Sequence, residues 1–174
     1  MRETSVGLGP LSIRELRPAD SIPELTALLH RAYKRLADQG FRYWASHQSE
    51  ADTLKRASQG ECYVGVLEGR IVSTITLRRG SSVEGTPWYR EPGVHVFGQF
   101  AVEPELHGKG IGSSLLDFAE GRARGLAARE LACDTAEGAS RLVGMYSRRG
   151  YRLIEHVEWE GVNYRSVILS KTLR

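Results

Sequence analysis

Gln99-Phe100-Ala101-Val102-Glu103-Pro104-Glu105-Leu106-His107-Gly108-Lys109-Gly110-Ile111-Gly112-Ser113-Ser114-Leu115-Leu116 is the stretch on which the reading of this chain turns. The run Val94–Val102 has strand character, and Gly98 inside it predicts a bulge or a close backbone approach. Pro104 stops that strand. From Ile111 onward apolar residues recur at Leu115, Phe118, Ala119, Ala123 and Leu126, the period of a helix. Between strand and helix stand Gly108, Gly110 and Gly112, which remove Cβ atoms where a ligand would touch the main chain and permit unusual φ values. Amides at a helix start have no internal acceptor and sit at the positive end of the helix dipole. The segment is therefore a candidate phosphate site, with Lys109 able to add a charge and Ser113 a hydroxyl donor. A plain glycine-rich turn is the simpler alternative.

Two familiar phosphate motifs fail here. A P-loop needs Gly-Lys followed by Ser or Thr, yet Lys109 is followed by Gly110, and Glu103 stands five residues before Gly108. A dinucleotide fingerprint needs Gly-x-Gly-x-x-Gly. Ser113 occupies the last position in one frame and Leu115 in the other.

On either side of this stretch the chain alternates strands with helices. Leu11–Leu16 predicts an opening strand after a loose leader over residues 1–10. Asp20 or Ser21 caps a helix that carries Pro23 in its first turn, and a second short helix falls around Glu50–Ala57. Glu61–Leu67 and Ile71–Leu77 flank Glu68-Gly69-Arg70 as a hairpin. After the long helix, Glu130–Thr135 reads as a buried strand. Ala139–Arg149 reads as a helix closed by Gly150, and Tyr151–Val157 with Val162–Leu169 as a final hairpin through Glu160-Gly161. Together these predict an α/β domain over residues 11–174 with a mixed sheet.

Composition agrees with one soluble domain. At 174 residues there is room for a single core. Charged residues make up 26% and hydrophobic ones 41%, which argues against disorder. A net charge of only +3, without a clustered basic-aromatic pattern, gives no footprint for nucleic acid. No apolar run is long enough for a membrane span, and the N-terminal sequence lacks a signal-peptide pattern. Cys62 and Cys133 alone exclude a disulfide framework and point to a reduced, cytoplasmic setting. The five histidines show no metal-ligand spacing, so no metal is expected.

His107-Gly108-Lys109-Gly110-Ile111-Gly112 resembles the acetyl-CoA signature Gln/Arg-x-x-Gly-x-Gly/Ala of the GNAT superfamily of N-acetyltransferases. Ala139–Tyr151, with Leu142, Tyr146 and Arg149-Gly150-Tyr151, looks like that family's fourth helix, in the expected order and separation. The resemblance implies a GNAT fold: a mostly antiparallel sheet flanked by about four helices, its fourth and fifth strands splayed around the pantetheine arm. It also implies acetyl-CoA as cosubstrate, an amine as acceptor, and the homodimers common in the superfamily. By the same resemblance, Phe100, Ala101 and Val102 would bind pantetheine through their backbone. His107, Gly108, Lys109, Gly110, Ile111, Gly112 and Ser113 would form the pyrophosphate cradle, and Tyr146 would be the acid that protonates the departing thiolate.

Four positions depart from the family pattern. His107 replaces Gln or Arg, Ala139 replaces Asn, Leu142 replaces Ala, and Val96 stands where some members carry a glutamate base. The last leaves the base open among Asp134, Glu137, His95 and water, with Glu137 the chosen site candidate. Asp134, Thr135 and Glu137 could equally cap the following helix. The same gap at Val96 admits a non-catalytic acyl-CoA-binding module as the alternative function. The aromatics Tyr33, Phe41, Tyr43, Trp44, Trp88 and Tyr89 fall where the resemblance places an acceptor pocket.

Overall fold

In the computed structural model, which describes residues 9–83 and 85–174, local chemistry sets most element boundaries. Strand β1 (Ser12–Glu15) leads to helix α1 (Ile22–Asp38), where the Ser21 hydroxyl accepts the Glu24 amide at 3.2 Å. Helix α2 (Glu50–Ala57) opens with a reciprocal capping box between Ser49 and Asp52. Strands β2 (Glu61–Leu67) and β3 (Arg70–Arg79) join through Glu68 and Gly69, both at positive φ, as a two-residue hairpin whose twist matches its strands requires. A single helical turn, α3 (Pro87–Arg90), precedes β4 (Val94–Val102). Then follow α4 (Ile111–Gly125), β5 (Glu130–Ala136), α5 (Ser140–Arg148), β6 (Arg152–Val157) and β7 (Ser166–Thr172).

The strands form one seven-stranded sheet in the order β1-β2-β3-β4-β5-β7-β6. Every pairing is antiparallel except β4 with β5. That parallel pair is short. Its register runs Val94↔Glu130, His95↔Leu131, Val96↔Ala132 and then stops, although β4 continues to Val102 and β5 to Ala136. The two strands therefore part, and a gap opens in the middle of the sheet. One face carries the larger core, in which Leu115, Leu116, Ala119 and Ala123 of α4 pack on Ile75, Leu77, Phe97, Leu131 and Cys133. On the opposite face, Leu25, Leu28 and Leu29 of α1 pack against Ala101.

Some expectations shift. The irregularity in β4 falls at Gln99, whose φ is +47°, one residue beyond Gly98; the register against β3 breaks there between Thr74 and Thr76. Strand β7 begins at Ser166 rather than Val162, so β6 and β7 pair across a long loop instead of a tight turn at Glu160-Gly161. Helix α5 has Ala139 at its N-cap and no side-chain cap, so none of Asp134, Thr135 and Glu137 caps it. Residues 1–8 of the expected leader lie outside the described residues. No helix among the described residues is long and apolar enough to cross a membrane.

Candidate active site

The bend before α4 is open. Gly108, Lys109, Gly110 and Ser113 are exposed, and a Cβ added at Gly108 or Gly110 would meet no atom within 4 Å. Both glycines sit at positive φ, +77° and +82°, a conformation that L side chains rarely adopt. Gly110 is the N-cap and supplies no side-chain acceptor. The first main-chain bond of the helix is donated by Ser114 to the Gly110 carbonyl, 3.0 Å. The amides of Ile111, Gly112 and Ser113 are thus left for an outside acceptor at the positive end of a 15-residue helix. Gly112 has a different function. It packs against Phe100 and Val102 of β4, whose side chains lie 3.5 Å from where a Cβ would stand, an ordinary contact distance. His107 is exposed, and its Nε2 lies 3.1 Å from the Val102 carbonyl oxygen, so its ring rests against the strand end.

Where the strands part, tyrosines from the N-terminal third meet their main chains. The Tyr33 hydroxyl donates to the Phe100 carbonyl of β4 at 2.8 Å, and the Ala136 amide of β5 donates to the Tyr43 oxygen at 3.0 Å. The two rings lie 5.3 Å apart. Tyr146 projects from α5 into the same region. Its ring packs on Phe97 and Tyr151, and burial holds its phenol well above the usual value, so it stays protonated. Among the described residues its hydroxyl makes no hydrogen bond with another side chain or the backbone.

A second cleft opens on the α1–α2 face of the same gap. Asp134, on β5 just beyond the last β4 pairing, accepts a hydrogen bond from the Tyr89 hydroxyl at 3.2 Å. Protein surrounds its carboxyl although solvent reaches it, and desolvation raises its pKa above the ordinary carboxylate value. Two arginines lie in its field. Arg56 of α2 donates to Gln48 Oε1 at 2.7 Å, and Gln48 Nε2 donates to Gln99 Oε1 at 2.7 Å, which ties the helix to the strained residue of β4. Arg78 of β3 reaches across Gly98. A Cβ at Gly98 would stand 3.3 Å from its Nη2, close enough that the guanidinium would have to shift by a few tenths of an ångström. Burial pulls both arginine pKa values down.

Other candidates lie elsewhere. The Glu137 carboxylate is gripped by Arg165 (2.7 and 2.8 Å) and by His156 (3.1 Å), and these partners hold its pKa below the usual range. A carboxylate so engaged is a poor proton acceptor. His95 shares the α4 side of β4 with Phe97; it is buried, and neither ring nitrogen has a hydrogen-bond partner. Arg122, Arg149 and Arg152 are spoken for by Glu61, Asp117 with Glu120, and Glu130. Trp44 is exposed, and Cys133 is buried with burial raising its pKa, which makes it no nucleophile. Arg56 and Arg78 escaped the sequence reading. The available signal was an arginine amid the alternating Thr74, Thr76 run of a strand, facing a glycine.

The family model for the Acetyltransferase (GNAT) family matches residues 28–151. The S-(2-succino)cysteine N-acetyltransferase of Bacillus subtilis is 34% identical over 165 residues, covering 91% of this chain and 92% of that protein. Among solved structures, a GNAT family acetyltransferase from Elizabethkingia anophelis with acetyl-CoA bound superposes with a TM-score of 0.64 at 19% identity, covering 94% of this chain and 98% of that one. A GNAT-family acetyltransferase from Staphylococcus aureus Mu50 reaches 0.72 at 14% identity, over 95% and 100% of the two chains. On the matched span, the parted strands and the glycine bend, this chain belongs to the GNAT family and is an N-acetyltransferase.

Proposed function

We propose that this protein transfers the acetyl group of acetyl-CoA to a primary amine by direct attack while both substrates are bound. The observation that carries this reading is the juxtaposition of two half-sites across one gap: free amides at the start of α4 on one side, the Asp134 cleft on the other. The residues fit the cosubstrate. Pyrophosphate oxygens match the Ile111–Ser113 amides, and an extended pantetheine arm matches the edge of β4 that β5 leaves unpaired beyond Val96.

The chain's own groups then divide the chemistry. Asp134, with its raised pKa, takes a proton from the ammonium form of the acceptor. The freed nitrogen attacks the thioester carbonyl carbon, a C–N bond forms, the nitrogen gives up its second proton to solvent, and the C–S bond breaks. Tyr146 gives its proton to the departing sulfur and regains one from solvent. Neither step needs a covalent enzyme intermediate; positioning and proton transfer supply the rate. Asp134 takes the role that sequence reading left open beside Glu137, because it lies in the cleft without an ion-pair partner within 4.0 Å among the described residues, whereas Glu137 is held by Arg165.

The activity of the Bacillus subtilis relative makes a free amino acid, S-(2-succino)cysteine, the first acceptor to try. The test is release of free CoA thiol from acetyl-CoA across a panel of amines, with wild-type protein and Tyr146→Phe. Amine-dependent release that Tyr146→Phe slows about 100-fold or more in kcat, with acetyl-CoA affinity unchanged, is the expected result. An unchanged kcat would remove Tyr146 as the acid, and binding of CoA without release for any amine would favour the non-catalytic alternative.

A further inference from the structure

Four arginines among the described residues are half-buried, and two of them are matched to carboxylates: Arg14 to Asp20, and Arg149 to Asp117 and Glu120. The other two, Arg56 and Arg78, are not. Both are half-buried, both face the Asp134 cleft, and neither has a carboxylate within 4.0 Å among the described residues. Among the described residues, their only side-chain partners are neutral amides, Gln48 Oε1 for Arg56 at 2.7 Å and Gln59 Oε1 for Arg78 at 3.1 Å, and the buried Nε of Arg78 has no acceptor. Each also lies in the other's repulsive field.

Holding two like charges near each other, out of bulk water and without counterions, costs free energy, and the usual resolution is an anion. Planar guanidinium forks match carboxylates with two parallel hydrogen bonds. Asp134 lies in the field of both arginines and supplies a place for an ammonium. An acceptor that completes this arrangement brings one amine and more than one carboxylate.

We infer that Arg56 and Arg78 are specificity-determining residues that bind carboxylates of the acceptor, so that the preferred substrate is an amino acid with an acidic side chain. The inference rests on the acetyl-transfer reading and names which amines that reaction takes. Gly98 borders the same arrangement, since a Cβ there would stand 3.3 Å from Arg78 Nη2 and press on the guanidinium.

The test compares two acceptors that share amine, α-carboxylate and thioether: S-(2-succino)cysteine, whose side chain bears two carboxylates, and S-propylcysteine, whose side chain bears none. CoA release is measured with wild-type protein, Arg78→Gln, Arg78→Lys, and Arg35→Gln as a control for net charge on exposed α1. The wild type is expected to favour the succino compound at least about 100-fold in kcat/KM. Arg78→Gln is expected to lower that value about 30-fold, mainly through KM, and to move S-propylcysteine less than about threefold, with partial recovery in Arg78→Lys. Equal use of the two amines, a parallel fall for both, or an equal fall in Arg35→Gln would overturn the inference. Acetyl-CoA affinity by calorimetry shows whether each variant is folded; if Arg78→Gln loses it, Arg78→Lys carries the comparison. If neither amine is acetylated, the transfer reading fails for amino acids, and the arginine pair is judged by calorimetry with N-acetyl-S-(2-succino)cysteine. Binding that the Arg78 variants abolish sustains the pair, and no binding refutes it.

Discussion

The bend before α4 and the cleft around Asp134 face each other across one gap but are built in opposite ways. The bend is contiguous, spans residues 107–113, and works through main-chain amides and absent side chains. The cleft is assembled from side chains of α2, β3, α3 and β5, from Arg56 to Asp134, brought together only by the sheet order. A site made of backbone tolerates little change in residue type where φ is positive. One made of side chains can be retuned by substitution without disturbing the fold. Under the proposed function, this contrast separates binding of a common cosubstrate from choice of acceptor, and each half can be broken alone.

Gly110→Val attacks the bend. A β-branched residue forced to φ near +82° costs on the order of 1–3 kcal/mol and reorients the first-turn amides. Acetyl-CoA affinity is expected to fall about 100-fold by calorimetry, with the far-ultraviolet circular dichroism of the protein retained. Undiminished affinity would mean that the bend is only a turn.

Asp134→Asn attacks the cleft. Here kcat is expected to drop about 30-fold while acetyl-CoA affinity stays within about twofold. Because burial raises the Asp134 pKa, wild-type kcat/KM falls with acidification at a pH above the usual carboxylate range, as the base gains its proton. That acid limb disappears in Asp134→Asn. Glu137→Gln sharpens the comparison, with an expected change below about threefold. A loss as large as that of Asp134→Asn would return the base to Glu137.

The smallest effect belongs to neither half. Glu61, paired with Arg122 at 2.8 Å and hydrogen-bonded by Tyr63, has its pKa lowered to about 2. A depressed carboxylate pKa contributes stability that is present above its unfolded value and lost as pH falls toward 2. The pair is a third or more exposed, so Glu61→Gln should cost only about 1 kcal/mol at pH 7, read as a lower denaturation midpoint, and nothing near pH 2. Catalysis should not change.

The same contrast explains what could be read from the chain beforehand. Ser21, Ser49, the Glu68-Gly69 turn and Gly150 mark their elements by local chemistry, and the observed boundaries fall within a few residues of those marks. The glycine bend is legible for the same reason, since its function is written in adjacent positions. The cleft is not. Arg56 and Arg78 stand twenty-odd residues apart on different elements, and nothing between them signals that α2 lies over β3. Gly98 announced an irregularity, but the positive φ fell on Gln99, whose side chain is bonded to Gln48. Strand β7 started late because Val162–Arg165 serve as loop rather than as ladder.

Amide hydrogen exchange with and without acetyl-CoA tests the central claim most directly, since it reports on main-chain donors one by one. Slowed exchange confined to Phe100–Val102 and Gly110–Ser113, with β6 and β7 unmoved, is the predicted result. Unchanged exchange in those two segments, or protection concentrated elsewhere in the sheet, would contradict it.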